Sequence, residues 1–229
     1  MPEFEKEKEL AAAKSLEFIK EGMTIGLGTG STASYFIRML GQKVRAGFKV
    51  RAIPTSTRTK VLAAHEGIPL TDFDELSCVD VTIDGADEIN PTFDLIKGGG
   101  GALLREKIVA SVTGKLIIIV DSRKPVDLLG RFPLPVEVVP FGWQVASERI
   151  KRLGARVELR TQSSDQPFVT TEGNFILDCR FGEIPSPRDL SRELKQMVGV
   201  VEHGLFVDMA QIAIVGRGSQ VEVISKPGA

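Results

Sequence analysis

Four short stretches of the chain set glycine beside side chains able to bind an anion or move a proton. They are Gly26-Leu-Gly-Thr-Gly-Ser-Thr32, Asp84-Gly-Ala-Asp-Glu88, Lys97-Gly-Gly-Gly-Gly101 and Arg105-Glu106-Lys107. In the first, glycine lets the backbone turn tightly and approach a ligand. The N–H groups at the start of the following helix attract an anion, and Ser31 and Thr32 add hydroxyls. In the second, a turn at Gly85 is expected to aim both carboxylates into one crevice, where such a pair can exchange a proton. Lys97 supplies a positive charge for an oxyanion or a phosphate. Glu106 opens a helix whose side chains lean toward its N-terminus, so it reaches back over the glycines. These are parts for moving protons on a small phosphorylated molecule.

Each motif also has a plainer reading. The first is then a tight turn with an N-cap, and Asp84 and Asp87 cap backbone N–H groups in a polar turn. Lys97 becomes a surface lysine and Glu106 a solvated helix charge. A metal held by the two aspartates is conceivable, but no further ligand cluster supports it. The first loop is a poor dinucleotide fingerprint: its third glycine position is Ser31, and the second strand ends in Pro54-Thr-Ser-Thr57 without an acid for a ribose hydroxyl. It is not a Walker loop either, because no Gly-Lys-Ser/Thr follows.

Elements that must position these groups are legible in the patterning. Residues 3–20 carry apolar positions at helical spacing, and Met23–Leu27 reads as a buried strand. Ser31 or Thr32 is the expected N-cap of a helix to about Leu40. Lys49–Ile53, a short strand near Pro69–Thr71, Val79–Ile83, Phe93–Ile96 and Lys115–Val120 are strand candidates. Helices to about Glu66 and over Leu103–Val112 fall among them. Val79–Ile83 delivers Asp84, Phe93–Ile96 delivers Lys97, and Lys124 follows Lys115–Val120. The β-α-β-α rhythm predicts a mostly parallel, Rossmann-like sheet covered by helices. Beyond residue 130 the pattern changes: helices over Trp143–Leu153 and Arg188–Val198 alternate with strands at 156–159, 167–170 and 174–178. Strands 211–215 and 220–224 are expected to return to the first sheet. The expected organisation is a catalytic domain of residues 1–129 and 206–229 with a smaller inserted α+β domain, 130–205. Trp143 is expected to pack the small domain's helix, and His65 and His203 to be structural.

Bulk composition narrows the function. The chain has 229 residues, 42% hydrophobic and 26% charged, with 29 basic and 30 acidic side chains. A net charge of −1 provides no basic field, so nucleic acid is not an expected partner. Cys78 and Cys179 are far apart, without metal-ligand spacing, and apolar runs are strand-sized. Neither a signal peptide nor a membrane partner is expected, and a reducing cytoplasm is the expected location.

Taken together, the motifs resemble the ribose-5-phosphate isomerase A family. The likeness runs through 28–32, 84–89, 96–100 and 104–107, then Phe-Pro-Leu-Pro-Val-Glu-Val at 132–138 and Gly-Leu-Phe at 204–206. It implies a Rossmann-like domain with a smaller ferredoxin-like domain, assembled as a homodimer or homotetramer. It also implies interconversion of ribose 5-phosphate and ribulose 5-phosphate in the pentose phosphate pathway, through an enediolate, without metal or organic cofactor. By the same resemblance Glu106 is the general base, with Asp84, Asp87 and Lys97 also catalytic. The substrate-binding positions it implies are Thr29, Gly30, Ser31, Thr32, Asp84, Gly85, Ala86, Asp87, Lys97, Gly98, Gly99, Gly100 and Lys124. Lys8 matches an N-terminal lysine that approaches the phosphate, and the Pro54–Thr57 turn has no assigned role. The rival class is a phosphosugar-sensing regulator, which calls for a helix-turn-helix segment and a basic face.

Overall fold

The computed structural model describes residues 3–162 and 165–228. In chain order the elements begin α1 (Glu3–Ser15), β1 (Thr24–Leu27), α2 (Ser31–Arg45), β2 (Arg51–Pro54), α3 (Thr57–His65), β3 (Val81–Asp84), β4 (Glu88–Ile89) and β5 (Leu95–Ile96). They continue with α4 (Leu103–Ser111), β6 (Leu116–Asp121), β7 (Leu134–Val138), α5 (Trp143–Arg152), β8 (Arg156–Leu159) and β9 (Phe175–Arg180). The last are α6 (Pro187–Lys195), β10 (Val200–His203), β11 (Leu205–Phe206), β12 (Ala210–Arg217) and β13 (Gln220–Ser225). They form two compact units, one built from the chain up to Ala86, Arg105–Lys124 and the part from Met209 on, the other from Asp87–Leu104 and Pro125–Asp208.

The first unit is a six-stranded sheet in the order β13-β12-β6-β3-β1-β2. All neighbours are parallel except the β12–β13 hairpin. β1, β3 and β6 are buried along their whole length. Strands covered on both faces carry continuous apolar runs for this reason. Ile25, Leu27, Ile83, Ile117, Ile119 and Ile214 pack with Ala11, Phe36, Ile37 and Leu40 of α1 and α2. Val109 of α4 joins Ile53 and Val79 in a smaller cluster.

The second unit holds a four-stranded antiparallel sheet, β10-β7-β9-β8, and a three-stranded one, β11-β5-β4. Side chains alternate across β7: Leu134, Val136 and Val138 pack with Ala146 and Ile150 of α5 and Leu194 of α6. Glu137, of opposite parity, accepts hydrogen bonds from Thr170 Oγ1 (2.9 Å) and Asn174 Nδ2 (2.9 Å). Trp143 packs against the same apolar core.

Three local expectations change. The N-cap of α2 is Gly30, at φ 124°, so Ser31 and Thr32 lie inside the helix rather than ahead of it. Only glycine adopts that backbone freely. Residues 167–170 make only isolated bridges, Thr161 to Pro167 and Val169 to Phe175, because a proline lacks the N–H that a ladder needs. The segment near Pro69 is likewise a single bridge, Ala52 to Leu70. Among the described residues, no helix is long and apolar enough to cross a membrane.

Candidate active site

In the first unit the glycine loop follows β1 and leads into α2. Gly28 N–H donates to the Ile83 carbonyl (2.9 Å), which lays the loop against the end of β3. Asp84, the last residue of β3, is 1% exposed. Its Oδ1 accepts Thr29 N–H (3.1 Å) and Gly85 N–H (2.7 Å). A Cβ on Gly28 would stand 2.1 Å from that oxygen and 2.5 Å from the Asp84 Cα, so only glycine fits. The structure thus brings Thr29, Asp84 and Gly85 together. Beyond Gly30, the first-turn N–H groups of α2 have no intrahelical acceptor, and Ser31 stands exposed among them.

Thr29 turns its side chain the other way, into a cluster of hydroxyls. Its Oγ1 lies 2.8 Å from Thr55 Oγ1, 2.8 Å from Ser56 Oγ and 3.1 Å from Thr59 Oγ1. Thr59 Oγ1 donates to the Gly28 carbonyl (3.0 Å), and Thr55 Oγ1 to the Leu27 carbonyl (2.9 Å). Ser56 caps α3 by accepting Thr59 N–H (3.0 Å). The turn after β2 therefore clasps the glycine loop, a structural task for a motif whose residue types alone disclosed none. Its only sequence signal is the density of hydroxyls at a strand end.

Glu106 lies in the first turn of α4 and is 5% exposed. Lys124, half-buried, follows β6, and the preceding turn is tied down by α1. The Glu7 carboxylate accepts Ser122 N–H (2.9 Å), Ser122 Oγ–H (2.7 Å) and Gly218 N–H (2.7 Å). Burial pushes this carboxyl up, but these hydrogen bonds outweigh it and hold it below its ordinary value. Asp121 receives two hydrogen bonds from the Arg123 guanidinium, at 2.9 Å each. Lys8 donates to Glu5 Oε1 (2.6 Å), whose other oxygen accepts Tyr35 Oη–H (2.9 Å). The structure therefore places Lys8 in an ion pair along its own helix.

In the second unit, Asp87 N–H donates to the Ile96 carbonyl (2.8 Å), and Asp87 Oδ2 accepts Gly99 N–H (2.8 Å). Lys97 follows β5 and is 2% exposed. Its N–H donates to the Gly204 carbonyl (2.9 Å), and its ammonium lies 5.5 Å from the Phe206 ring centre. Gly98 holds φ 99°, with Leu103 packed 2.9 Å from where a Cβ would stand. Arg160, which sequence reasoning missed, donates from Nη1 to the Gly98 (3.0 Å) and Gly99 (3.2 Å) carbonyls. His203 is buried, accepting Leu205 N–H at Nδ1 (3.2 Å), whereas the His65 side chain is 81% exposed.

Carboxylates and glycine turns at the carboxyl ends of parallel strands place the molecule among open α/β proteins that bind ligands at that edge. The family model of ribose 5-phosphate isomerase A (phosphoriboisomerase A) matches residues 51–220. A ribose-5-phosphate isomerase A of Parvibaculum lavamentivorans is 49% identical over 224 residues, covering 95% of this chain and 97% of its own. That of Bacillus mycoides is 51% identical over 216 residues, covering 94% and 97%. A solved D-ribose-5-phosphate isomerase in complex with phospho-erythronic acid superposes with a TM-score of 0.95 at 42% identity, covering 97% of this chain and 99% of that one. The ribose 5-phosphate isomerase A of Methanocaldococcus jannaschii gives 0.91 at 39%, covering 96% and 98%. The chain belongs to the ribose 5-phosphate isomerase A family.

Proposed function

We propose that the chain interconverts ribose 5-phosphate and ribulose 5-phosphate with Glu106 as the base that carries the proton. Glu106 removes the proton from the hydroxyl-bearing carbon beside the aldehyde and returns it to the neighbouring carbon. The intermediate is an enediolate. Lys97 and whichever of Asp84 and Asp87 is protonated hold its two oxygens. Ser31, Thr32, the first-turn N–H groups of α2 and Lys124 bind the phosphate, with Thr29, Gly30, Gly85, Ala86 and Gly98–Gly100 walling the substrate. No metal or organic cofactor takes part in this assignment, and activity that survives chelation is the expected result.

The observation that carries the reading is the treatment of the acids. Asp84 and Glu106 are almost fully buried at strand and helix ends, and the carboxylates of Asp84 and Asp87 each take backbone N–H groups of a glycine loop. Carboxylates positioned this firmly suit proton work better than surface solvation does. A solved family member bound to phospho-erythronic acid, a phosphorylated sugar acid, supports the choice of ligand class. Ketose formation from ribose 5-phosphate in the presence of chelator tests the reading; no ketose sinks it.

We infer a homodimer or homotetramer in the cytoplasm. Supporting the assembly are Phe141 at 94% and Val198 at 81% exposure, large apolar side chains that a lone chain leaves in water. Sedimentation at micromolar concentration decides it, with a monomer as the opposing result.

A further inference from the structure

The Gly98–Gly99 peptide is gripped at both ends. Its carbonyl accepts Arg160 Nη1–H at 3.0 Å, and its N–H donates to Asp87 Oδ2 at 2.8 Å. In a planar trans peptide the C=O and N–H point in opposite directions, so fixing one fixes the other. Arg160 is itself fixed: Nε and Nη2 donate to the two oxygens of Asp178, at 2.9 and 2.5 Å. The guanidinium side chain is 14% exposed, and Phe168 lies beside it at 5.8 Å. A planar fork with five donors matches a carboxylate and two successive carbonyls at once. Within the loop the Gly98 carbonyl also accepts Gly101 N–H (3.0 Å), but glycine tolerates either peptide orientation, so Arg160 is the side chain that ties this carbonyl to β9 through Asp178.

We propose that Arg160, anchored by Asp178, is a positioning residue for the isomerisation. It orients the 98–99 peptide so that Gly99 N–H holds the Asp87 carboxylate at the angle the enediolate requires. The inference rests on the isomerase reading above. In the reading above the phosphate is held by α2 and Lys124, and the peptide only walls the sugar. The Asp87 carboxylate that it aims therefore matters more to the enediolate than to the bound sugar, and kcat suffers more than KM.

The test compares Arg160→Met, Arg160→Lys and Asp178→Asn in the full chain. It records kcat and KM for ribose 5-phosphate, the inhibition constant of phospho-erythronic acid, and Tm. The carboxylate of that acid carries paired charged oxygens, as the enediolate does. Losing a hydrogen bond from a charged donor predicts a kcat about 10- to 100-fold lower in both Arg160 variants. KM stays within about 2-fold, as expected when only transition-state interactions are lost. The inhibition constant rises together with the loss in kcat. Lysine does not rescue, because it cannot reproduce the fork, and Asp178→Asn gives the same pattern at smaller size. Unchanged kcat and inhibition constant in Arg160→Lys overturn the proposal. So does a fall in kcat that tracks the folded fraction with the inhibition constant unmoved, which would mark a merely structural arginine. Failure of the wild-type chain to form ketose would instead overturn the isomerase reading.

Discussion

The two glycine loops look alike in sequence but are held by different chemistry. Loop 28–30 of the first unit is clasped by neutral hydroxyls from Thr55, Ser56 and Thr59. Loop 98–100 of the second is held by an arginine and its carboxylate partner. In both, a backbone N–H of the loop ends on an aspartate, Asp84 in one and Asp87 in the other. Glycine is needed for a different reason in each. At Gly28 an added methyl would strike the Asp84 backbone as well as its carboxylate, whereas at Gly99 it would meet only the Asp87 carboxylate, at 2.7 Å. A rigid obstacle and a movable one make different demands on the same residue type.

The largest effect should be indifferent to either tether. Glu106→Gln is expected to lower kcat by ~10²–10⁴-fold with KM nearly unchanged; near-normal turnover would remove Glu106 as the base. Lys97→Ala comes next, losing about 3 kcal/mol of oxyanion stabilisation and raising KM as well. Steady-state kinetics with both constants unmoved would take the second loop's lysine out of the chemistry. The glycines sharpen the contrast directly. Gly28→Ala should cost about 1–3 kcal/mol in chemical denaturation, and Gly99→Ala less than that, because a carboxylate moves aside more easily than backbone. Equal costs would break the distinction. Thr59→Val leaves Thr29, Ser56 and the Gly28 carbonyl short of a partner, a loss of about 1–3 kcal/mol that salt should not alter.

The smallest effects have opposite signs with pH. Glu7, in the first unit, is held below its ordinary value of 4.5 because hydrogen bonds from Gly218 and Ser122 overcome burial. Its stabilisation is therefore present above pH 4.5 and lost as pH falls below it. Burial pushes Glu137, in the second unit, above 4.5, against the pull of Asn174 and Thr170. Its contribution is full below that pH and lost as pH rises through the folded-state value. Thermal melts from pH 4 upward should show Glu7→Gln falling further behind the wild type as pH rises. Glu137→Gln should gain on it over the same range, and parallel curves would refute both signs.

How much of this was legible follows from the range of each interaction. β1, β3 and β6 announce themselves because burial on both faces writes continuous apolar runs. Asp84 was readable as the residue delivered by such a run. β5 falls inside the Phe93–Ile96 segment read as a strand, whereas β4 and β11, with two residues each, are too short to show any period. Arg160 reads as an ordinary charge after a strand, since its carbonyl partners lie 61 and 62 positions away. Thr59 is equally silent, its hydroxyl reaching a carbonyl 31 residues earlier. Local periodicity discloses elements; polar partners that the fold brings from afar leave no mark in it.

The strand order β13-β12-β6-β3 has a consequence for biosynthesis. β6 is translated well before β12, its lateral partner, and the whole of 125–208 emerges from the ribosome in the interval. A nascent chain at that stage carries a hydrophobic parallel sheet with one open border. The sheet is completed only once β12 has been made, and until then the waiting border is where chaperone engagement or misassociation would begin.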